Sequence, residues 1–115
     1  RPVISTDIFA TIHAAAGAPK PKGKYVESND LLPYLTGKYK DDPHEWLYWR
    51  QSHKTAFRAG DMKIVRQTPK KWELYDLAKD PSETKDLIKA QPEEFKSLLE
   101  GWEKINANMV EPLFK

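Results

Sequence analysis

The stretch Trp46-Leu47-Tyr48-Trp49-Arg50-Gln51-Ser52-His53-Lys54-Thr55-Ala56-Phe57-Arg58-Ala59-Gly60-Asp61-Met62-Lys63-Ile64-Val65-Arg66 decides the fold class. Its opening six residues are dense in aromatic side chains, which pack well on a pleated, half-buried surface and so favour a strand. Ser52-His53 makes a turn, and Thr55-Ala56-Phe57-Arg58 is the return strand. Ala59-Gly60-Asp61 is a second tight turn, with Gly60 free to take a positive φ. Met62–Arg66 is a third strand, Thr68-Pro69-Lys70 turns again, and Trp72-Glu73-Leu74-Tyr75-Asp76 is a fourth. Turns this short join antiparallel neighbours, because a parallel pair needs a crossover of about a dozen residues or more. The reading is a four-stranded antiparallel meander over 46–77.

Downstream, Asp80-Pro81-Ser82-Glu83 reads as a turn whose carboxylates satisfy backbone amides, leading into a short helix around Lys85–Lys89. Pro92 suits the first position of a long helix, and Glu93 and Glu94 suit its positive end. Phe95, Leu98, Leu99, Trp102, Ile105 and Met109 recur at helical spacing, which predicts a helix over 92–110 stopped by Pro112. That apolar stripe needs a surface, and one face of the meander supplies it. The fold class is therefore α+β, a sheet with a C-terminal helix packed on it.

Upstream, residues 5–17 read as a further helix. Ser5 or Thr6 can cap it, Asp7 sits in its first turn, and Gly17 gives a left-handed stop before Pro19. Ile8, Phe9, Ile12, Ala15 and Ala16 share one face. Residues 18–30 form a loop with Lys20, Pro21, Lys22, Gly23 and Lys24. A short helical turn is predicted over Asp30–Thr36, with Ser28 or Asn29 as cap, Gly37 as stop, and Leu31, Leu32 and Leu35 inward. Residues 38–45 read as a second polar loop.

The 115 residues carry a formal charge of +2 and no Cys. The length is that of one ordinary domain. The absence of Cys excludes a disulfide scaffold, a thiolate metal site and a cysteine nucleophile within the chain. No apolar run approaches the roughly 18 residues of a membrane span. The near-balanced charge gives no global reason to expect nucleic acid. Position 1 is Arg, and the start reads as a cut. Four Trp, five Tyr and four Phe must be buried or must meet a partner.

Local chemistry is sparse. Asp41-Asp42 with His44 and Glu45 is a carboxylate cluster without the Asp-x-Asp-x-Asp-Gly run of a calcium loop, so it reads as a solvated loop. His13, His44 and His53 lack zinc-ligand spacing. No Ser lies in a Gly-x-Ser-x-Gly elbow, and the five Gly are scattered singly rather than forming a phosphate loop. Arg50, His53, Lys54, Arg58, Lys63 and Arg66 surround Trp46, Tyr48, Trp49 and Phe57. Two readings stand: aromatic core with solvated charges, or a face for single-stranded nucleic acid or a sulfated glycan.

Four strings then become specific in series. They are Val3-Ile4-Ser5-Thr6-Asp7-Ile8-Phe9-Ala10-Thr11-Ile12 closing at Ala16-Gly17-Ala18-Pro19, Asp30-Leu31-Leu32-Pro33-Tyr34-Leu35-Thr36-Gly37, Thr55–Val65, and Trp72–Leu87. In this order and spacing the chain resembles the C-terminal part of a sulfatase of the arylsulfatase superfamily, over nearly all its length. One departure is Glu27-Ser28-Asn29, where that family often has Asp-Gly. The resemblance implies that residues 1–37 are the end of a catalytic domain and 38–115 a C-terminal subdomain, so the N-terminal helix is left from the catalytic domain. It implies a parent sulfuric-ester hydrolase with calcium and a formylglycine made from Cys or Ser in C/S-x-P-S-R. That motif does not occur here, so the expectation is no catalytic residue, no metal ligand and no cofactor in this fragment, and no activity from it alone.

In the family the first hairpin of the small sheet often approaches the rim of the sulfate-ester pocket. This makes Arg50, Gln51, His53 and Lys54, with Ser52 between them, the implied substrate contacts. The implied partners are the missing N-terminal catalytic domain and a sulfate-ester substrate such as a sulfated sugar, with neither nucleic acid nor membrane. Without that domain the Ile8/Phe9/Ile12 face is expected to be bare or covered by self-association. The implied location is periplasmic or secreted. The alternative is a free-standing binding module for a sulfated glycan or other anionic polymer.

Overall fold

Along the chain run α1 (Asp7–Ala15), α2 (Leu32–Leu35), β1 (Trp46–Gln51), β2 (Lys54–Ala59), β3 (Met62–Thr68), β4 (Lys71–Asp76) and α3 (Pro92–Asn106). The computed structural model describes residues 1–19 and 28–110. It comprises two compact units, Arg1–Glu45 and Trp46–Lys115. The Lys20–Lys24 loop and the Pro112 stop lie outside the described residues.

In the second unit the strands pair antiparallel in the order β1-β2-β3-β4. This is the meander the sequence predicts. Gly60, at φ 57°, makes the tight turn between the paired residues Ala59 and Met62. Side chains alternate across a sheet, so the register fixes the faces. Tyr48, Phe57, Ile64 and Leu74 form one row across the four strands. Leu98 of α3 closes on Phe57, Ile64 and Leu74, and Trp46, Trp72, Phe95, Trp102 and Ile105 pack around them. The predicted α3 stripe is thus the one that packs, and three of the four Trp are consumed here. Leu47, Val65 and Tyr75 are buried on the opposite face, so the sheet is apolar on both sides.

Helix α3 reaches the sheet closely because of Gly101. A Cβ there would stand 3.0 Å from both Cε1 and Cζ of Phe57. Helix propensity alone disfavours Gly at an interior position by about 1 kcal/mol relative to Ala. The buried Phe57 ring, stacked at 6.2 Å on Trp46, reverses that preference.

Two elements differ from expectation. The helix ends at Asn106, four residues before the predicted 110. There the Asn106 side chain accepts the Tyr48 hydroxyl at 2.8 Å, and Asn108 Nδ2 turns back onto the Lys104 carbonyl at 3.0 Å. Side-chain bonds of this kind compete with the helical ladder. The short helix expected at Lys85–Lys89 does not form. Instead Asp86 Oδ1 accepts the Leu74 N–H at 3.0 Å, and the Leu87 N–H donates to the Leu74 carbonyl at 2.8 Å. The segment spends its polar groups on the outer edge of β4, an edge that would otherwise present unpaired backbone. The Asp80 turn is as expected: its carboxylate accepts the N–H groups of Thr84 and Lys85, each at 2.8 Å. Glu83 instead takes Lys63 Nζ at 2.6 Å.

In the first unit, α1 starts one turn after Ile4 and stops at Gly17, which has φ 66°. The Ala18 N–H donates to the His13 carbonyl and the Gly17 N–H to that of Ala14, a Schellman stop. Thr6 makes no side-chain cap bond. Neither Ser28 nor Asn29 caps α2. Asp30 Oδ1 accepts the Leu32 N–H at 3.0 Å instead. Leu35, expected inward, is 76% exposed. Ile8, Phe9 and Ile12 are 60%, 52% and 63% exposed, leaving one face of α1 apolar and bare.

Gly101→Ala tests the close approach. The Cβ forces a buried ring to move, and overpacking of this kind costs about 1–3 kcal/mol, more than the propensity gain. Denaturant unfolding should show net destabilisation, and a stabilised variant would contradict the packing described.

Candidate functional site

The β1–β2 hairpin turns through Ser52 and His53 between the paired residues Gln51 and Lys54. Ser52 takes φ 55°, a left-handed conformation at the first loop position. His53 is exposed at the tip, and its carbonyl accepts Arg66 Nε at 3.1 Å. The Arg66 guanidinium lies 5.1 Å from the Trp72 ring centroid and 5.3 Å from that of Trp102. Trp102 Nε1 donates to Thr55 Oγ1 at 2.9 Å, and that hydroxyl donates to the Trp49 carbonyl at 2.7 Å. Two aromatic rings and two strands thus brace the turn, although nothing in the local sequence of Ser52-His53 announces it.

The four sequence-implied contacts are divided by the pleat. Arg50 points to the helix side, where its Nη1 donates to Asn106 Oδ1 at 3.1 Å. Gln51 and Lys54 face each other on the opposite side. Trp49 shares that side with Ala56 and Val65, and the group lines a shallow depression of about 430 Å³. Of the basic set flagged in the sequence, Arg58 donates to the Gly60 carbonyl at 2.7 Å, Lys63 pairs with Glu83, and Arg66 is stacked. Trp46, Tyr48 and Phe57 belong to the core side.

A second polar centre lies in the first unit. Asp7 has 0% exposure, a costly place for a carboxylate unless its oxygens are satisfied. Oδ2 accepts the Ile4 N–H at 3.0 Å, and Oδ1 accepts the Asn29 N–H at 2.9 Å. His44 Nε2 lies 3.0 and 2.8 Å from the two oxygens. Asn29 Nδ2 donates to the Pro43 carbonyl at 2.5 Å and sits 3.3 Å from His44 Nδ1. Burial pushes the Asp7 carboxyl up, but the Asn29 and Ile4 amides and His44 together outweigh it and hold the group below its ordinary value. Sequence reading grouped His44 with Asp41-Asp42. The fold sends it to Asp7, 37 positions away. Among the described residues no three His, Asp or Glu side chains converge as metal ligands. No described helix is long and apolar enough to cross a membrane.

No family model matches the chain. An uncharacterized sulfatase of Schizosaccharomyces pombe is 29% identical over 109 residues, covering 84% of this chain and 20% of that protein. Human steryl-sulfatase is 40% identical over 47 residues, 41% of this chain and 8% of the enzyme. A structure from work on glycosaminoglycan metabolism by Bacteroides thetaiotaomicron superposes with a TM-score of 0.70 at 26% identity, covering 89% of this chain and 24% of that one. The chain is homologous to the sulfatases. It spans about a fifth or less of the curated sulfatases it matches. Its sheet, C-terminal helix and N-terminal helix have the fold of a sulfatase C-terminal subdomain. Ps i-CgsB in complex with k-i-k-neocarrahexaose shares this fold, with a TM-score of 0.75 at 19% identity over 94% of this chain and 25% of that one.

The Asp7 centre carries a pH prediction for this sulfatase homologue. A carboxyl whose folded pKa lies below its unfolded value near 3.8 stabilises the fold above that pH. The contribution is lost as pH falls through the lower, folded value. Denaturant unfolding between about pH 5 and pH 2 should therefore fall more steeply for the wild type than for Asp7→Asn. At neutral pH, Asp7→Ala should cost about 3 kcal/mol, because it strands His44 and two half-buried amides. Parallel pH profiles for wild type and Asp7→Asn would refute the assignment.

Proposed function

We propose that this chain is the C-terminal part of a sulfuric-ester hydrolase. In this reading it supports the catalytic domain and shapes the rim of the substrate pocket, and it is not catalytic alone. The observation that carries the reading is the shared subdomain fold over 89% of this chain at 26% identity, against a protein four times as long. The bare Ile8/Phe9/Ile12 face supports it, as a surface that suits packing against a larger domain. Apart from such packing, that face favours self-association of the isolated chain.

The β1–β2 hairpin is the rim element in this reading. His53 at the exposed tip and Gln51 and Lys54 beside it offer an imidazole, an amide and a cation to hydroxyl and sulfate oxygens. Arg50 acts as a positioning residue, since its bond to Asn106 ties β1 to the end of α3. In this reading calcium and the formylglycine belong to the catalytic domain; among the described residues no three His, Asp or Glu side chains group as metal ligands. A periplasmic or secreted location goes with this reading. A free-standing module for anionic polymers has less support, because Arg58, Lys63 and Arg66 are already engaged within the sheet unit.

The test compares the 115-residue chain with the longer protein that this reading expects its reading frame to encode. The longer protein should hydrolyse a sulfate ester and the short chain should not. His53→Ala in the longer protein should raise KM for a sulfated sugar severalfold with kcat nearly unchanged. Turnover by the short chain, or none by the longer one, would overturn the reading. Light scattering on the short chain should show association that Phe9→Glu reduces. A monodisperse wild-type monomer would count against the role given to α1.

A further inference from the structure

The strongest unexplained feature is Trp49. It is 38% exposed, on the face of the sheet opposite α3, while the other three Trp pack into the core. Over a third of the residue's surface stays open on that face, enough for a flat ligand to cover. Its surroundings are chemically sparse. Gln51 and Lys54 lie at the hairpin end of the same face, and Gln67 lies across the depression. None of these three side chains has a hydrogen bond or ion pair among the described residues. The other cations lining the depression are engaged: Lys63 is held by Glu83 at 2.6 Å, Arg50 donates to Asn106, and Arg66 stacks on Trp72 and Trp102.

The geometry points to a sulfated-sugar subsite on this face, with Trp49 as the stacking platform. This deepens the sulfatase reading above and rests on it for the ligand class. A pyranose ring presents a face of C–H groups that packs on an indole, and its equatorial hydroxyls project sideways toward Gln51 and Gln67. Lys54 takes one sulfate oxygen at the rim. A phosphate backbone repeats its charge at every nucleotide and calls for a row of cations. One unengaged lysine beside one ring suits a sparsely charged glycan instead. Trp49 is therefore a specificity-determining residue whose partner is the sugar, while the sulfate being cleaved is held elsewhere.

The test is a titration of the 115-residue chain with a sulfated oligosaccharide, its desulfated counterpart and a thymidine oligonucleotide, followed by NMR. The sulfated oligosaccharide should shift the Trp49 indole N–H, and Trp49→Ala should weaken binding about tenfold or more. Lys54→Ala, an exposed change that leaves the fold intact, should weaken it severalfold and remove its salt dependence. The desulfated sugar should bind more weakly and ignore Lys54→Ala. Wild-type affinity in Trp49→Ala, or shifts confined to other residues, would overturn the proposal. Tighter binding of the oligonucleotide at Trp49 would reassign the face to nucleic acid. If Trp49→Ala in the longer protein lowers stability without altering KM for the oligosaccharide, the face is an internal interface and the proposal fails. The titration does not involve turnover, so a longer protein without sulfatase activity would sink the parent reading while leaving this binding result standing.

Discussion

Ile64 and Leu74 lie opposite each other on β3 and β4 with no surface left to water, and Leu98 closes over them. That contact makes the sheet possible. A four-stranded meander with a bare apolar face would be marginal in water, and α3 supplies the cover. Everything at the hairpin follows from it. Trp102 is carried by the same helix, and it reaches Thr55 and helps stack Arg66, which holds the His53 carbonyl. The exposed tip is therefore tied to the core behind it. A loop braced in this way would lose less entropy on binding a ligand than a free one.

The first unit follows a different logic. Its apolar residues face outward along α1, so its internal order comes from polar groups. Asp7 gathers the Ile4 and Asn29 amides and His44, while Asn29 adds the Pro43 carbonyl. A buried carboxylate with one missing partner is costly, whereas a fully satisfied one specifies a single arrangement. The unit thus depends on directional hydrogen bonds where the sheet depends on area.

The strands were legible in the sequence because their cues are local: aromatic runs broken by Gly60 and by Pro69. The α3 stripe was legible because its period is. What stayed hidden depends on contacts distant in sequence. His44 looked like part of an acidic cluster, and only the fold brings Asp7 to it. Lys85–Lys89 looked helical, and only the position of β4 shows that Asp86 and Leu87 have backbone to satisfy. Arg50 and Gln51 looked equivalent in the hairpin, but the pleat sends Arg50 to the helix side and leaves Gln51 on the open face with Trp49. The sulfatase resemblance was carried by four short strings in order, each too weak to speak alone.

The bonds from Asp86 and Leu87 to Leu74 change what residues 77–91 are. A connector of this length would ordinarily be a tether whose length could drift. Here it closes the last strand's edge before handing the chain to α3. Loss of the C-terminal segment would strip the sheet of its cover and its edge together. The β4 amides and the helix amides should therefore exchange with solvent as one cooperative group rather than fraying from the end.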